Sequence, residues 1–133
     1  MLQGAVSVAR SHRSQLFHDK MIKQLADSLV SKKFRDVRAD HPDYPDKPAP
    51  IVMESFYSFQ IPDVTAMGIQ MVLFEVETDD TIDDPHTLDQ WRLFASYADL
   101  NRAEFWIVVP KASMDDAWAR LTDLGLHAKV MGF

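Results

Sequence analysis

The chain has 133 residues, a net charge of −6 and 47 % hydrophobic residues, which suits one domain that buries a core without crosslinks. It contains no cysteine, so disulfides, zinc–thiolate sites and thiol nucleophiles are excluded. The acidic balance argues against a protein that coats nucleic acid by charge alone.

No apolar run approaches the roughly 18 residues a membrane helix needs. Met1–Arg10 has no basic residue ahead of its short stretch Ala5–Ala9, so a secretory signal is not expected. A cytoplasmic protein without membrane partners is the simplest reading. Residues 1–11 read as a peripheral or disordered lead-in to a single domain spanning residues 1–133.

From about Ser14 to Lys32, Ile22, Leu25 and Leu29 recur at helical spacing with Met21 and Ala26. Ser11 or Ser14 is placed to cap that helix. Lys33–Ala39 alternates and predicts a short strand. Asp40–Pro50 holds four prolines in eleven residues, which forbids both helix and central strand. Residues 51–60 read as a strand or an irregular lead-in. Ile61–Ala66 and Gln70–Thr78 form the clearest strand pair, with Gly68 at the turn. Thr78–Pro85 is an acidic loop, and Pro85–Leu100 a helix with proline in its first turn. Glu104–Val109 is a buried strand, and Ser113–Leu124 a helix stopped by Gly125. His127–Phe133 completes the order as an edge strand. Such an order predicts an α/β protein with a mixed sheet covered on both faces.

Side chains alternate along a strand, so Glu75 and Glu77 share a face with Leu73. A turn near Gly68–Ile69 sets Asp63 opposite Phe74 or Glu75, and cross-strand neighbours lie about 5 Å apart. Three carboxylates that close repel unless a metal or a proton neutralises them. The all-oxygen donor set points to Mg²⁺ or Mn²⁺. The alternative is the polar side of a half-exposed strand. Against it stands the apolar run Met71–Phe74, which puts Glu75 where a carboxylate needs a reason to be.

Pro62-Asp63, eleven intervening residues and Glu75-Val76-Glu77 together resemble the PD-(D/E)xK nuclease superfamily over about residues 16–110. The resemblance implies a restriction endonuclease-like core of αβββαβ order, followed here by a C-terminal helix and strand. It implies that Asp63 and Glu75 bind Mg²⁺ or Mn²⁺ for phosphodiester hydrolysis of DNA. Glu77 stands where the family usually has lysine, as a catalytic ligand or base or as the mark of a member that has lost its chemistry. Gln90-Trp-Arg-Leu-Phe94 is similar to the Q-x-x-x-Y motif of RecB-type nucleases, with Phe94 for tyrosine, which implies a catalytic role for Gln90; the alternative is an interface glutamine beside Trp91. The strings around His41-Pro42, Glu75–Thr78, His86–Trp91 and Phe105–Pro110 also resemble a group of prokaryotic nuclease-like proteins.

The resemblance implies that the first helix contributes a polar residue to the site, so His18, one turn before Ile22, either points at Asp63 as a catalytic residue or is a buried structural histidine. Residues 1–40 carry a charge of +4 and the remainder −10. Lys20 and Lys23 on the first helix accordingly read as DNA contacts or as a solvated face. Asp79, Asp80, Asp83 and Asp84 lack the spacing of a Ca²⁺ loop and read as solvated. No glycine-rich phosphate loop is present. The expected function is a metal-dependent nuclease acting on DNA. The alternatives are a catalytically inactive nuclease fold that binds nucleic acid or protein, as a homodimer or as a subunit of a larger assembly, and an interaction protein unrelated to nucleic acid.

Overall fold

A computed structural model describes residues 10–133, and residues 1–9 of the expected lead-in lie outside them. Helix α1 runs His12–Ser31 and starts two residues earlier than its apolar pattern, because Ser11 caps it by accepting the Ser14 N–H. Ile22, Leu25, Ala26 and Leu29 form its buried stripe. Lys33 then adopts a left-handed φ of 71°, and the Phe34 N–H bonds back to Leu29. Strand β1 therefore begins only at Arg35 and runs to Ala39.

The proline-rich segment after β1 has no helix or strand, and residues 51–60 contribute one bridge, Ile51 to Gln60. Strand β2 spans Val64–Met67 and β3 spans Met71–Val76. The predicted start of β2 at Ile61 is too early. Pro62 has no N–H to give, and the Asp63 N–H bonds to the Glu75 side chain instead of a ladder carbonyl. Strand β3 also ends before Thr78, although the Glu77 N–H still bonds Val108 O.

Helix α2 is Pro85–Asn101, with proline in its first turn and the Asp84 carboxylate accepting the His86 N–H. Strand β4 is Glu104–Val109. A short 3-10 turn, Lys111–Ser113, leads into α3, Met114–Leu124, which Gly125 ends with a φ of 65°. Strand β5, Lys129–Gly132, follows.

The strands form one sheet in the order β1-β2-β3-β4-β5. The pairs β1/β2 and β2/β3 are antiparallel, whereas β3/β4 and β4/β5 are parallel. Alternation along β3 and β4 divides the core into two layers. Phe74, Val76 and Val108 pack with the α1 stripe, while Leu73, Phe105 and Ile107 pack with Trp91, Phe94 and Leu121 of α2 and α3. The architecture is α/β, a mixed sheet flanked by helices on both faces. Among the described residues no helix is long and apolar enough to cross a membrane.

Candidate functional site

At the end of the sheet where β3 finishes and β2 begins, side chains from both helical layers meet. The register pairs Val64 with Phe74, and one further step sets Asp63 across from Glu75. The Asp63 N–H donates to Glu75 Oε1 at 2.9 Å, and the Val76 N–H donates to Asp63 Oδ2 at 2.8 Å. Each carboxylate is thus pinned by an amide of the opposite strand. Charge-assisted bonds of that kind fix orientation more firmly than neutral ones. The second oxygens, Asp63 Oδ1 and Glu75 Oε2, have no hydrogen-bond partner among the described residues.

From the α1 side, His18 Nε2 lies 3.3 Å from Asp63 Oδ2. From the α2 side, the Trp91 indole N–H donates to Glu77 Oε2 at 3.3 Å. Glu77 Oε1 accepts from the Thr81 hydroxyl at 2.8 Å and from Arg10 Nη2 at 3.4 Å. Arg10 also reaches Val76 O and, through Nε, the Thr78 hydroxyl. Glu75 and Glu77 are almost fully enclosed, at 3 % and 1 % exposure, and Asp63 is at 9 %.

Burial dominates the electrostatics here. It pushes the Glu75 carboxyl well above the usual carboxylate range, and the neighbouring Asp63 and Glu77 charges push the same way, against the Asp63 N–H. Burial likewise raises Glu77, to about 7, with help from the Asp63 charge and against the Thr81, Arg10 and Trp91 contacts. Burial alone would lower His18, but the hydrogen bond and charge of Asp63 outweigh it and raise the imidazole above its ordinary value. Among the described residues three enclosed acids thus face one guanidinium and one imidazole, so the cluster is short of positive charge whenever all three acids are ionised.

Among the described residues no three His, Asp or Glu side chains are grouped to hold a metal ion. The donors that fit one are the pair Asp63 and Glu75, each with an oxygen unclaimed by hydrogen bonds. One or two carboxylates are what Mg²⁺ takes when water and phosphate complete its shell. Glu77 is different, since both its oxygens are occupied by Thr81, Arg10 and Trp91.

The other expected residues lie apart. Gln90 Nε2 is 3.4 Å from Gln60 Oε1, and it is the next residue, Trp91, that bonds an acid of the cluster. Phe94 packs fully buried against Phe105, with ring centroids 5.7 Å apart. Lys23 pairs with Asp27 one turn along α1 at 3.0 Å, and Lys20 stands exposed at the edge of a groove. The acidic loop is less solvated than its composition suggests: Thr81, Ile82 and Asp84 are buried, and Ser14 of α1 donates to Asp80 at 3.0 Å.

Sequence reasoning missed Arg10, Thr81 and Trp91. Trp91 left a signal, because a buried indole N–H needs an acceptor and Glu77 was the enclosed acid at hand. Arg10 left none, being 67 residues from Glu77 in the chain. Comparison with protein-family models, curated proteins and solved structures gives no significant match. The likeness to nucleases therefore rests on the residues themselves.

Proposed function

We propose that the chain is a divalent-cation-dependent phosphodiesterase of the restriction endonuclease-like kind, acting on DNA. The observation that carries this reading is the reciprocal pinning of Asp63 and Glu75, which leaves one oxygen of each unclaimed in a cluster short of positive charge. A Mg²⁺ or Mn²⁺ bound there would polarise a phosphoryl oxygen and acidify water. In this reading Asp63 and Glu75 are the ligands. His18 orients Asp63 through its Nε2 contact. Arg10 supplies positive charge beside Glu77, where the resembled motif has a lysine. Glu77, held by three donors, positions Arg10. Gln90 tethers the segment before Pro62 to α2 through Gln60.

Isothermal titration with Mn²⁺, followed by plasmid nicking, tests the proposal, with Asp63→Ala and Glu75→Ala as controls. Binding and nicking that both controls abolish are expected. Undetectable binding at millimolar Mn²⁺ sinks the reading. One observation favours a second reading, a nuclease fold retained as a nucleic-acid- or protein-binding module. Glu77, at the motif's lysine position, has both oxygens engaged inside the protein. Metal binding without nicking on any DNA form supports that one.

A further inference from the structure

A groove of about 610 Å³ opens beside the acids without including them. One wall is the face of α1 carrying Arg13, Leu16, Phe17 and Lys20. The opposite wall is the turn after β4, with Ala112 and Ser113, and the floor is the chain just past β3. It lies at the carboxyl ends of the parallel strands β3 and β4, the end of an open α/β sheet where ligands gather. Its size is that of a small-molecule site.

Three features state the chemistry such a groove takes. Arg13 and Lys20 are exposed cations with no ion pair among the described residues. They are two turns apart, roughly 10 Å along the helix. Between them Leu16 and Phe17, 57 % and 41 % exposed, offer an apolar surface with an aromatic face. Across the groove Ser113 is only 6 % exposed, yet its hydroxyl does not cap α3 and has no hydrogen-bond partner among the described residues. It sits at the N-terminus of α3, where backbone N–H groups favour an anion. Asp80 is turned to Ser14 and Thr78, which leaves Asp79 as the opposing acid without a partner among the described residues.

We infer that this groove holds one nucleotide unit: phosphate toward Arg13, Lys20 and Ser113, and base against Leu16 and Phe17. The choice of a nucleotide over another aromatic anion rests on the phosphodiesterase reading. A continuous path supports it, since Arg10 bridges the Thr78 hydroxyl on the groove floor and the Glu77 carboxylate of the acid cluster. A free mononucleotide and a nucleotide within a single strand present the same chemistry.

Fluorescence anisotropy of labelled oligo-dT with the full chain in EDTA tests the inference, with dTMP as competitor. Ala112→Glu, at an exposed position, puts a negative charge in the groove and is expected to weaken oligo-dT about tenfold. The double variant Arg13→Ala/Lys20→Ala is expected to weaken it similarly. It should also reduce the slope of log affinity against log salt by about 1.4, the value for two lost phosphate contacts on a single strand. Competition by dTMP identifies a mononucleotide site; binding of oligo-dT alone identifies a strand site. Unchanged affinity in both variants, or binding of neither ligand, overturns the inference. The two proposals fail separately. Groove binding by a wild-type protein that never nicks DNA sinks the phosphodiesterase, and nicking that ignores both groove variants sinks the groove.

Discussion

The cluster at the end of the sheet is held by single atoms, so its stability is best tested one atom at a time. Trp91 is fully buried and gives its indole N–H to Glu77 Oε2. Trp91→Phe keeps an aromatic ring in α2 but leaves that oxygen without its donor in an enclosed place. A buried acceptor stripped of its partner costs about 1–3 kcal/mol, to which the smaller ring adds a void. Urea unfolding should show a midpoint lowered accordingly; an unchanged midpoint would mean that water satisfies Glu77 as well as the indole does. A second residue-scale expectation lies far from the acids. Glu104 is held below the usual carboxylate range, first by the Trp106 indole N–H and then by Gln70 and Lys129, against a modest burial penalty. Its folded-state value is depressed, so its stabilisation is present above the ordinary value of 4.5 and is lost as pH falls through the folded one. Glu104→Gln should flatten the fall of stability below that pH. Because the side chain is nearly a third exposed, solvent screens the effect and it will be small. Acid titration of the melting temperature checks it. At this scale strand alternation brought the acids together, and helix spacing set His18 on the apolar face of α1 without deciding between a contact with Asp63 and a structural role. The sequence did not disclose Arg10 or Thr81, because no local period links them to Glu77.

Elements were legible where a single physical rule sets them. Helix α1 follows the spacing of Ile22, Leu25 and Leu29, and α2 starts at Pro85 behind a capping Asp84. Boundaries moved where two rules compete. Lys33–Ala39 alternates like a strand from its first residue, but the end of α1 claims Lys33 and Phe34 through a left-handed turn and a backbone bond to Leu29. Ile61–Ala66 has strand composition, but side-chain carboxylates take the amides at its start and delay the ladder to Val64. The end of α3 makes a test of the first kind. Gly125 has a φ of 65° and open space around the position a Cβ would fill. The whole cost of Gly125→Ala is therefore backbone conformation, about 1 kcal/mol. Gly125→Asn should cost less, because asparagine tolerates the left-handed region. Equal losses for the two variants in thermal unfolding would mean that something other than φ decides the position.

Across the whole molecule, the α1 and α2 layers converge on one end of the sheet and enclose three carboxylates. Asp63 and Glu75 could be replaced by neutral isosteres without disturbing the cross-strand bonds, since an amide oxygen accepts the Asp63 N–H as a carboxylate oxygen does. Removing one of several like charges from an enclosed cluster relieves repulsion and desolvation together. In the absence of metal, Glu75→Gln is therefore expected to unfold at the same or higher urea concentration than the wild type, by on the order of 1 kcal/mol. With Mn²⁺ present the order should reverse. An ion that binds the folded wild type stabilises it by about 2.7 kcal/mol at a hundred times its dissociation constant, whereas the variant has lost a ligand and gains little. A crossing of the two stabilities as Mn²⁺ is added would mark the acids as a binding device maintained at a cost to the fold. A Glu75→Gln protein less stable under both conditions would instead make Glu75 part of the architecture, its charge balanced from within by Arg10 and His18, and would turn the choice toward the non-catalytic reading.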